Sequence, residues 1–243
     1  MHRQLQEALR RELASGRYRP GDRIPSERVL CETYGVSRTT VRQTVNDLVH
    51  EGRLVRVPAK GTFVPLRKIE QDLARVSWFS ETVKAAGRAP NLRLLTATRI
   101  PAEEAVRLAL ELSPDDEVVR LDLIGRADGE PLVRYRIHLP PPLGDSAVAA
   151  LRQAQKEDAV SFRFLLQHLR DAHGLRVARV VQSLEAAAAD DSAAAALGLR
   201  RGSAVMASTR TVFTDADEPV EYDEIVFRGD RYRFTVRRPY PLD

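Results

Sequence analysis

An α+β architecture in two unlike parts follows from three features of this 243-residue chain. Residues 1–65 alternate apolar helical stripes with glycine- and proline-bearing turns and close on two short β-prone runs. Residues 78–243 carry one strand–helix–strand–turn–strand pattern twice. Charge separates the parts: residues 1–70 hold 14 Lys and Arg against 8 Asp and Glu, and residues 71–243 hold 24 against 26. A basic first part on a near-neutral remainder suits a polyanion partner for the first part alone.

Composition bounds the rest. With 43% hydrophobic and 30% charged residues, the chain is expected to fold and to be soluble. No apolar run approaches the ~18 residues of a membrane helix. The opening MHRQLQEALRREL reads as an amphipathic helix, without the short apolar core and cleavage site of a signal peptide. A cytoplasmic location is the expectation. One cysteine, Cys31, excludes a disulfide within the chain and reads as a small core residue. His2, His50, His138, His168 and His173 form no metal-ligand spacing, and no GxSxG or phosphate loop occurs. The acidic pairs Asp115–Asp116 and Asp190–Asp191 stand at turn or helix boundaries, where capping accounts for them. No metal, cofactor or catalytic residue is expected.

In the first part, Leu5, Leu9 and Leu13 share one face of a helix running from about Arg3 to Ala14. Gly16, Pro20, Gly21 and Pro25 break the chain. Ser26 is placed to cap a second helix that ends at Gly35. Ser37 caps a third, which runs to about Glu51 with an apolar stripe of Val41, Val45, Leu48 and Val49. RLVRV and GTFV then read as a hairpin closed by PAK. On the third helix Thr39, Thr40, Gln43 and Asn46 point away from the stripe. Arg42 lies at its margin, and Arg38 sits in the first turn. A turn bearing hydroxyls and cations at a helix N-terminus suits phosphates and base edges, and two helices joined through YGVS match a helix-turn-helix whose second helix enters the major groove. The hairpin would be a wing with Lys60 at its tip.

Residues 3–64 resemble the winged helix-turn-helix of GntR-family transcription regulators. SGRYRPGDRIPSERVL, YGVSRTTVRQTVNDLVHEGRL and KGTFV carry the resemblance. It implies operator DNA as partner and Arg28, Ser37, Arg38, Thr39, Thr40, Arg42, Lys60 and Gly61 as DNA-contacting residues. The usual wing glycine is Ala59 here.

Residues 66–77 are charged and read as a connector. Beyond them, LELSPDDEVVRLDLIGRADGEPLVRY (110–135) parallels LGLRRGSAVMASTRTVFTDADEPVEY (197–222), and a strand and a short helix precede each. Two such units supply six strands, most simply one antiparallel sheet with helices on a face. Between them, SFRFLLQHLRDAHG reads as an amphipathic helix. The segment 78–238 resembles the UTRA effector domain of the HutC subfamily through WFSETVKAAGRAP, RADGEP, SFRFLLQHLRDAHGL and PVEYDEIVFRGDRYRF. That resemblance implies a chorismate lyase-like fold and a small-molecule site near Phe79, Ser80, Tyr135, Ser161, Arg163 and Glu221. The chain departs from the family at Leu123 and Gly125, where arginines are usual, at Tyr135 in place of a glutamate, and at Phe227 in place of an aromatic hydroxyl. Alternation puts Arg134 and Arg136 on the face opposite Tyr135, where both are expected in solvent.

The expectation is a homodimeric, effector-controlled DNA-binding regulator, most often a repressor. Two alternatives remain: a constitutive DNA-binding regulator whose second domain only dimerises, and a chorismate lyase-like enzyme.

Overall fold

A computed structural model describes residues 2–58, 60–65, 68–74, 78–157 and 160–238. The chain divides into two compact units, Met1–Arg67 and Lys68–Asp243.

The first unit consists of α1 (His2–Ala14), α2 (Glu27–Tyr34), α3 (Arg38–His50) and a hairpin of β1 (Val55–Val57) and β2 (Gly61–Phe63). The cap residues stand where the sequence puts them. The Ser26 hydroxyl accepts from the Val29 amide, and the Ser37 hydroxyl accepts from the Thr40 amide. Gly35 ends α2 in the left-handed conformation, which a glycine enters without steric cost. Leu5 and Leu9 of α1, Leu30 of α2, Val41, Val45 and Leu48 of α3, and Leu54 form one core. Each such side chain contributes about 1.5–3 kcal/mol on full burial. Thr44 also lies in the apolar stripe of α3, wholly buried, because its hydroxyl donates to the Thr40 carbonyl one turn back. The turn-rich stretch before α2 does more than turn. Ile24 N–H donates to the Thr62 carbonyl, and Val64 N–H donates to the Asp22 carbonyl, so this segment borders the wing. Ala59 lies outside the described residues.

The second unit is built on six antiparallel strands in the order β4-β5-β6-β9-β8-β7. They are β4 (Pro90–Pro101), β5 (Glu117–Ala127), β6 (Glu130–Leu139), β7 (Val177–Ala188), β8 (Ala204–Thr214) and β9 (Pro219–Arg228). The order is palindromic, as two copies of a strand–helix–strand–strand unit related by a two-fold axis between β6 and β9 require. The register agrees: Tyr135 pairs with Ile225 while Ile137 pairs with Asp223. The second copy holds one extra residue in its acidic turn, so Tyr135, four residues after Pro131, corresponds to Asp223, four after Pro219, and not to Tyr222. The repeat helices α5 (Glu104–Ala109) and α8 (Asp191–Leu197) cross over, α5 onto β9 and α8 onto β6.

The opposite face carries the main core. There α6 (Pro141–Lys156) lies on β4, β5 and β6, and α7 (Phe162–His173) packs on α6. A short α4 (Phe79–Ala85) packs on β4. The main packing partners of these helices do not include β7 or β8, so half of this sheet face is left open. No helix among the described residues is long and apolar enough to cross a membrane.

Two expectations are corrected. Part of the connector expected at 66–77 is structured: Ile69–Asp72 form β3, parallel to β10 (Tyr232–Thr235), and Ile69 is fully buried. Backbone pairing with a distant strand leaves no alternation in a four-residue charged run, so the pattern could not announce it. Residues 66, 67 and 75–77 lie outside the described residues. Arg134 is also not in solvent. It faces away from Tyr135 as alternation requires, but α8 covers it, and its guanidinium donates to Ser192 Oγ at 2.7 Å. Arg136 is half-buried between Asp122 and Glu224.

Candidate functional site

Each unit presents one chemically distinctive surface. In the first unit it is the start of α3. Arg38, Thr39, Arg42 and Gln43 are exposed there, and neither arginine has an ion pair among the described residues. Two uncompensated guanidinium groups on the first turns of a helix add to the positive end of its dipole. The Ser37 and Thr40 hydroxyls bond each other at 2.8 Å while Ser37 caps the helix, which fixes the geometry of that turn. Arg28 on α2 is exposed and pairs with Glu32 one turn along, a weak contact that a phosphate could displace. Lys60 is exposed at the hairpin tip. Gly61 next to it has φ +123°, and a Cβ there would come within 2.6 Å of Arg23 Nε, so the glycine lets Arg23 pass under the wing.

In the second unit the surface is a cleft on the open half of the sheet. A cavity of about 350 Å³ has Tyr135 and Ile225 as floor, Phe79, Trp78, Phe162 and Phe227 as aromatic walls, and Gln71–Ala74 as a further wall. A second cavity of about 360 Å³ adjoins it, sharing Trp78, Phe162, Val180 and Arg210, and it is otherwise bounded by α7, β7 and Glu221. Tyr135 is edge-on to Phe162 at 4.7 Å and to Phe227 at 6.5 Å, the arrangement favoured by ring quadrupoles. Burial pushes its phenol well above the usual tyrosine range, so it is neutral at every physiological pH.

The polar part of the cleft is one ionic cluster. Arg210 Nε donates to Asp223 Oδ2 at 2.5 Å, and its Nη2 donates to Glu221 Oε1 at 3.0 Å. Asp223 is completely buried, and its Oδ1 has no hydrogen-bond partner among the described residues. Burial drives its carboxyl well upward, Arg210 opposes that, and the neighbouring Glu221 carboxyl adds to the rise by charge and by hydrogen bonding. Gln182 donates to Ser208 Oγ beside the cluster. The two-fold relation makes the contrast with the first repeat exact in position. The rung Arg210–Asp223 of the second copy is Leu123–Tyr135 in the first.

Of the residues singled out from sequence, Phe79 and Tyr135 meet in the first cavity, and Glu221 lines the second. Ser80 is half-buried on α4 and lines neither. Ser161 accepts from the Phe164 amide as the cap of α7. Arg163 is exposed, pairs with Glu81 and lies outside both cavities. The departures are packed into the structure. Leu123 is fully buried, and a Cβ on Gly125 would meet Val133 Cγ1 at 2.6 Å and Phe79 Cζ at 2.8 Å. Glycine at 125 is what allows Phe79 to close against the sheet. Sequence reasoning missed Trp78, Phe162, Arg210 and the 71–74 wall. Only Arg210 had a readable signal, since alternation puts it on one face with Val212 and Ser208.

A helix-turn-helix with a hairpin wing and an exposed cationic start to its second helix defines a DNA-binding transcription regulator. Comparison with known proteins narrows this. Residues 1–64 match the family model for bacterial regulatory proteins of the gntR family, and residues 85–233 match the UTRA domain. The HTH-type transcriptional repressor NagR of Bacillus subtilis is 30% identical over 231 residues, 95% of this chain and 91% of that protein. The HTH-type transcriptional regulator Rv0792c of Mycobacterium tuberculosis is 33% identical over 240 residues, 98% and 86% of the two chains. The crystal structure of PhnF from Mycobacterium smegmatis superposes with a TM-score of 0.64 at 27% identity, covering 98% of this chain and 100% of that one. The chain belongs to the gntR family of regulators and carries a UTRA domain.

Proposed function

We propose that the protein is a homodimeric repressor whose hold on operator DNA is set by a small molecule in the cleft of the second unit. The N-terminal turns of α3 read base edges through Arg38, Thr39, Thr40 and Arg42. Arg28, Ser37, Lys60 and Gly61 face the phosphate backbone. The observation that carries the control is the position of the former connector. The chain that leaves the first unit becomes β3, and residues 71–74 at its end are a wall of the cavity, followed by Trp78 and Phe79. A ligand therefore touches the very segment that continues from the DNA reader. A two-stranded parallel pair of four residues is weak enough for binding to rearrange. NagR, a relative named as a repressor, supports reading this protein as a repressor.

Tyr135→Ala is expected to blunt the response of operator affinity to ligand while leaving ligand-free operator affinity unchanged. Fluorescence anisotropy of a selected operator, with and without ligand, measures both. A response of wild-type size in the variant would place the ligand elsewhere, and a loss of ligand-free affinity would make Tyr135 purely structural.

Dimerisation follows from the reading mode, since one winged helix covers a half-site and two-fold protein symmetry matches an inverted repeat. We assign the contact to β7, a 12-residue edge strand exposed on both faces, with Val181 49% exposed. Such an edge invites pairing with a second copy. Light scattering on the full chain at micromolar concentration should give the dimer mass, and Val181→Lys should shift it toward the monomer. A monomeric wild-type chain would refute the assignment.

A further inference from the structure

We infer that Arg23 is a further DNA-binding residue, which donates from the root of the wing to a backbone phosphate. This rests on the reading that the hairpin meets DNA, and it deepens that reading. Three observations support it. First, the main chain fixes where the residue stands. Arg23 bridges to Phe63 of β2, and the bonds from Ile24 N–H to the Thr62 carbonyl and from Val64 N–H to the Asp22 carbonyl, both 2.9 Å, hold it on either side. A residue already held by its backbone loses less freedom when its side chain binds. Second, the side chain runs along the wing and not into the core. A Cβ on Gly61 would lie 2.6 Å from Arg23 Nε and 3.2 Å from both Cζ and Nη2, so the guanidinium rests against the bare backbone of Gly61, next to Lys60. Arg23 also borders a cavity of about 280 Å³ between the hairpin and the start of α2, and it is exposed.

Third, its charge is uncompensated. Beside it, Arg56 on β1 pairs with Glu27 at 3.1 Å, and Arg28 pairs with Glu32 at 2.6 Å. Arg23 has neither an ion pair nor a side-chain hydrogen bond among the described residues, a state it shares with Arg38, Arg42 and Lys60. An arginine kept only to hold the hairpin would spend its N–H groups on the hairpin. This one touches Gly61 by packing and keeps its donors free, in the planar fork that matches a phosphate. A wing in a minor groove lies between two phosphate backbones, so a cation at its root meets one of them. Such a contact fixes register on the duplex and reads no sequence.

The test is a salt series on the full-length protein, with fluorescence anisotropy on a selected operator and on scrambled duplex. Arg23→Ala should weaken binding to both duplexes by the same factor, roughly fivefold at about 0.15 M salt, and the slope of log K against log salt should shrink by about 0.9, the share of one phosphate. Arg23→Lys, which keeps the charge and loses the fork, should keep the wild-type slope. Thermal unfolding should be unchanged in both variants, because the residue is exposed and its strand contacts are main-chain. The inference is overturned if Arg23→Ala binds both duplexes as the wild type does. It is equally overturned by a loss of affinity at unchanged slope, which would make Arg23 a prop for the hairpin and not a contact. Lys60→Ala keeps the two readings apart. If Lys60→Ala behaves as the wild type while Arg23→Ala loses one phosphate's slope, contact by the hairpin tip alone fails. If Lys60→Ala flattens the slope and Arg23→Ala does not, the Arg23 contact alone fails. The double variant should lose the sum of the two slopes, since the two cations hold separate phosphates.

Discussion

Arg38→Ala is expected to remove most of the sequence-specific part of operator binding. The side chain stands exposed on the first turn of α3 with no ion pair among the described residues to hold it back. A bidentate arginine–guanine contact is worth about 1–3 kcal/mol, or roughly 5- to 150-fold in affinity. Fluorescence anisotropy on operator and on scrambled duplex separates base reading from phosphate contact. The variant should lose affinity for operator and approach the value that both proteins show for scrambled DNA. Equal losses on the two duplexes would mean that Arg38 touches only phosphate. The helix should stay intact, because Ser37 caps it and Val41, Val45 and Leu48 anchor it independently of residue 38.

Arg210→Ala is expected to have the largest effect on stability of any single change on the second unit's sheet. It leaves Asp223, completely buried, facing Glu221 with no cation between them. Removing one partner of a buried ion pair costs about 3–5 kcal/mol. Thermal unfolding followed by circular dichroism should show a large drop for the second unit, while Arg201→Ala, whose pair with Asp191 is mostly in solvent, should change little. Replacing the whole cluster, Arg210→Met with Asp223→Leu and Glu221→Gln, should recover much of the loss, since no buried charge then remains unpaired. If Arg210→Ala unfolds at the wild-type temperature, the cluster is not a structural tie.

Local signals made the first unit legible. Serine caps, Gly35 and a 3.6-residue stripe each act within a turn or two, and they placed all three helices and the hairpin. The six-stranded sheet was also legible, because a repeated pattern constrains topology more than any single strand does. What escaped the sequence was long-range. The β3–β10 pair joins residues 69–72 to 232–235 through backbone bonds, which have no side-chain signature. Arg134 has the composition of a solvent-facing residue, and only the crossing of α8 onto β6 buries it. In the cleft, Phe79, Tyr135 and Glu221 could be named through resemblance to a family. Phe162 and Trp78 could not, since an aromatic at a helix start looks like any core residue until the open half of the sheet is seen. The one-residue offset in the second repeat hid the counterpart of Tyr135, and with it the contrast between an apolar rung and an ionic one.

The cleft and the DNA reader, if they are coupled through the segment that ends β3, must influence each other equally. The most direct test is a closed binding cycle on the full-length protein with a small-molecule probe selected by its thermal-shift effect. Operator affinity is measured with and without saturating probe, and probe affinity with and without saturating operator. The two ratios should be the same, and typical couplings of about 1–3 kcal/mol would put them roughly between 5 and 150. A probe that binds with one affinity whether or not operator is present would contradict ligand control and leave a constitutive DNA-binding protein.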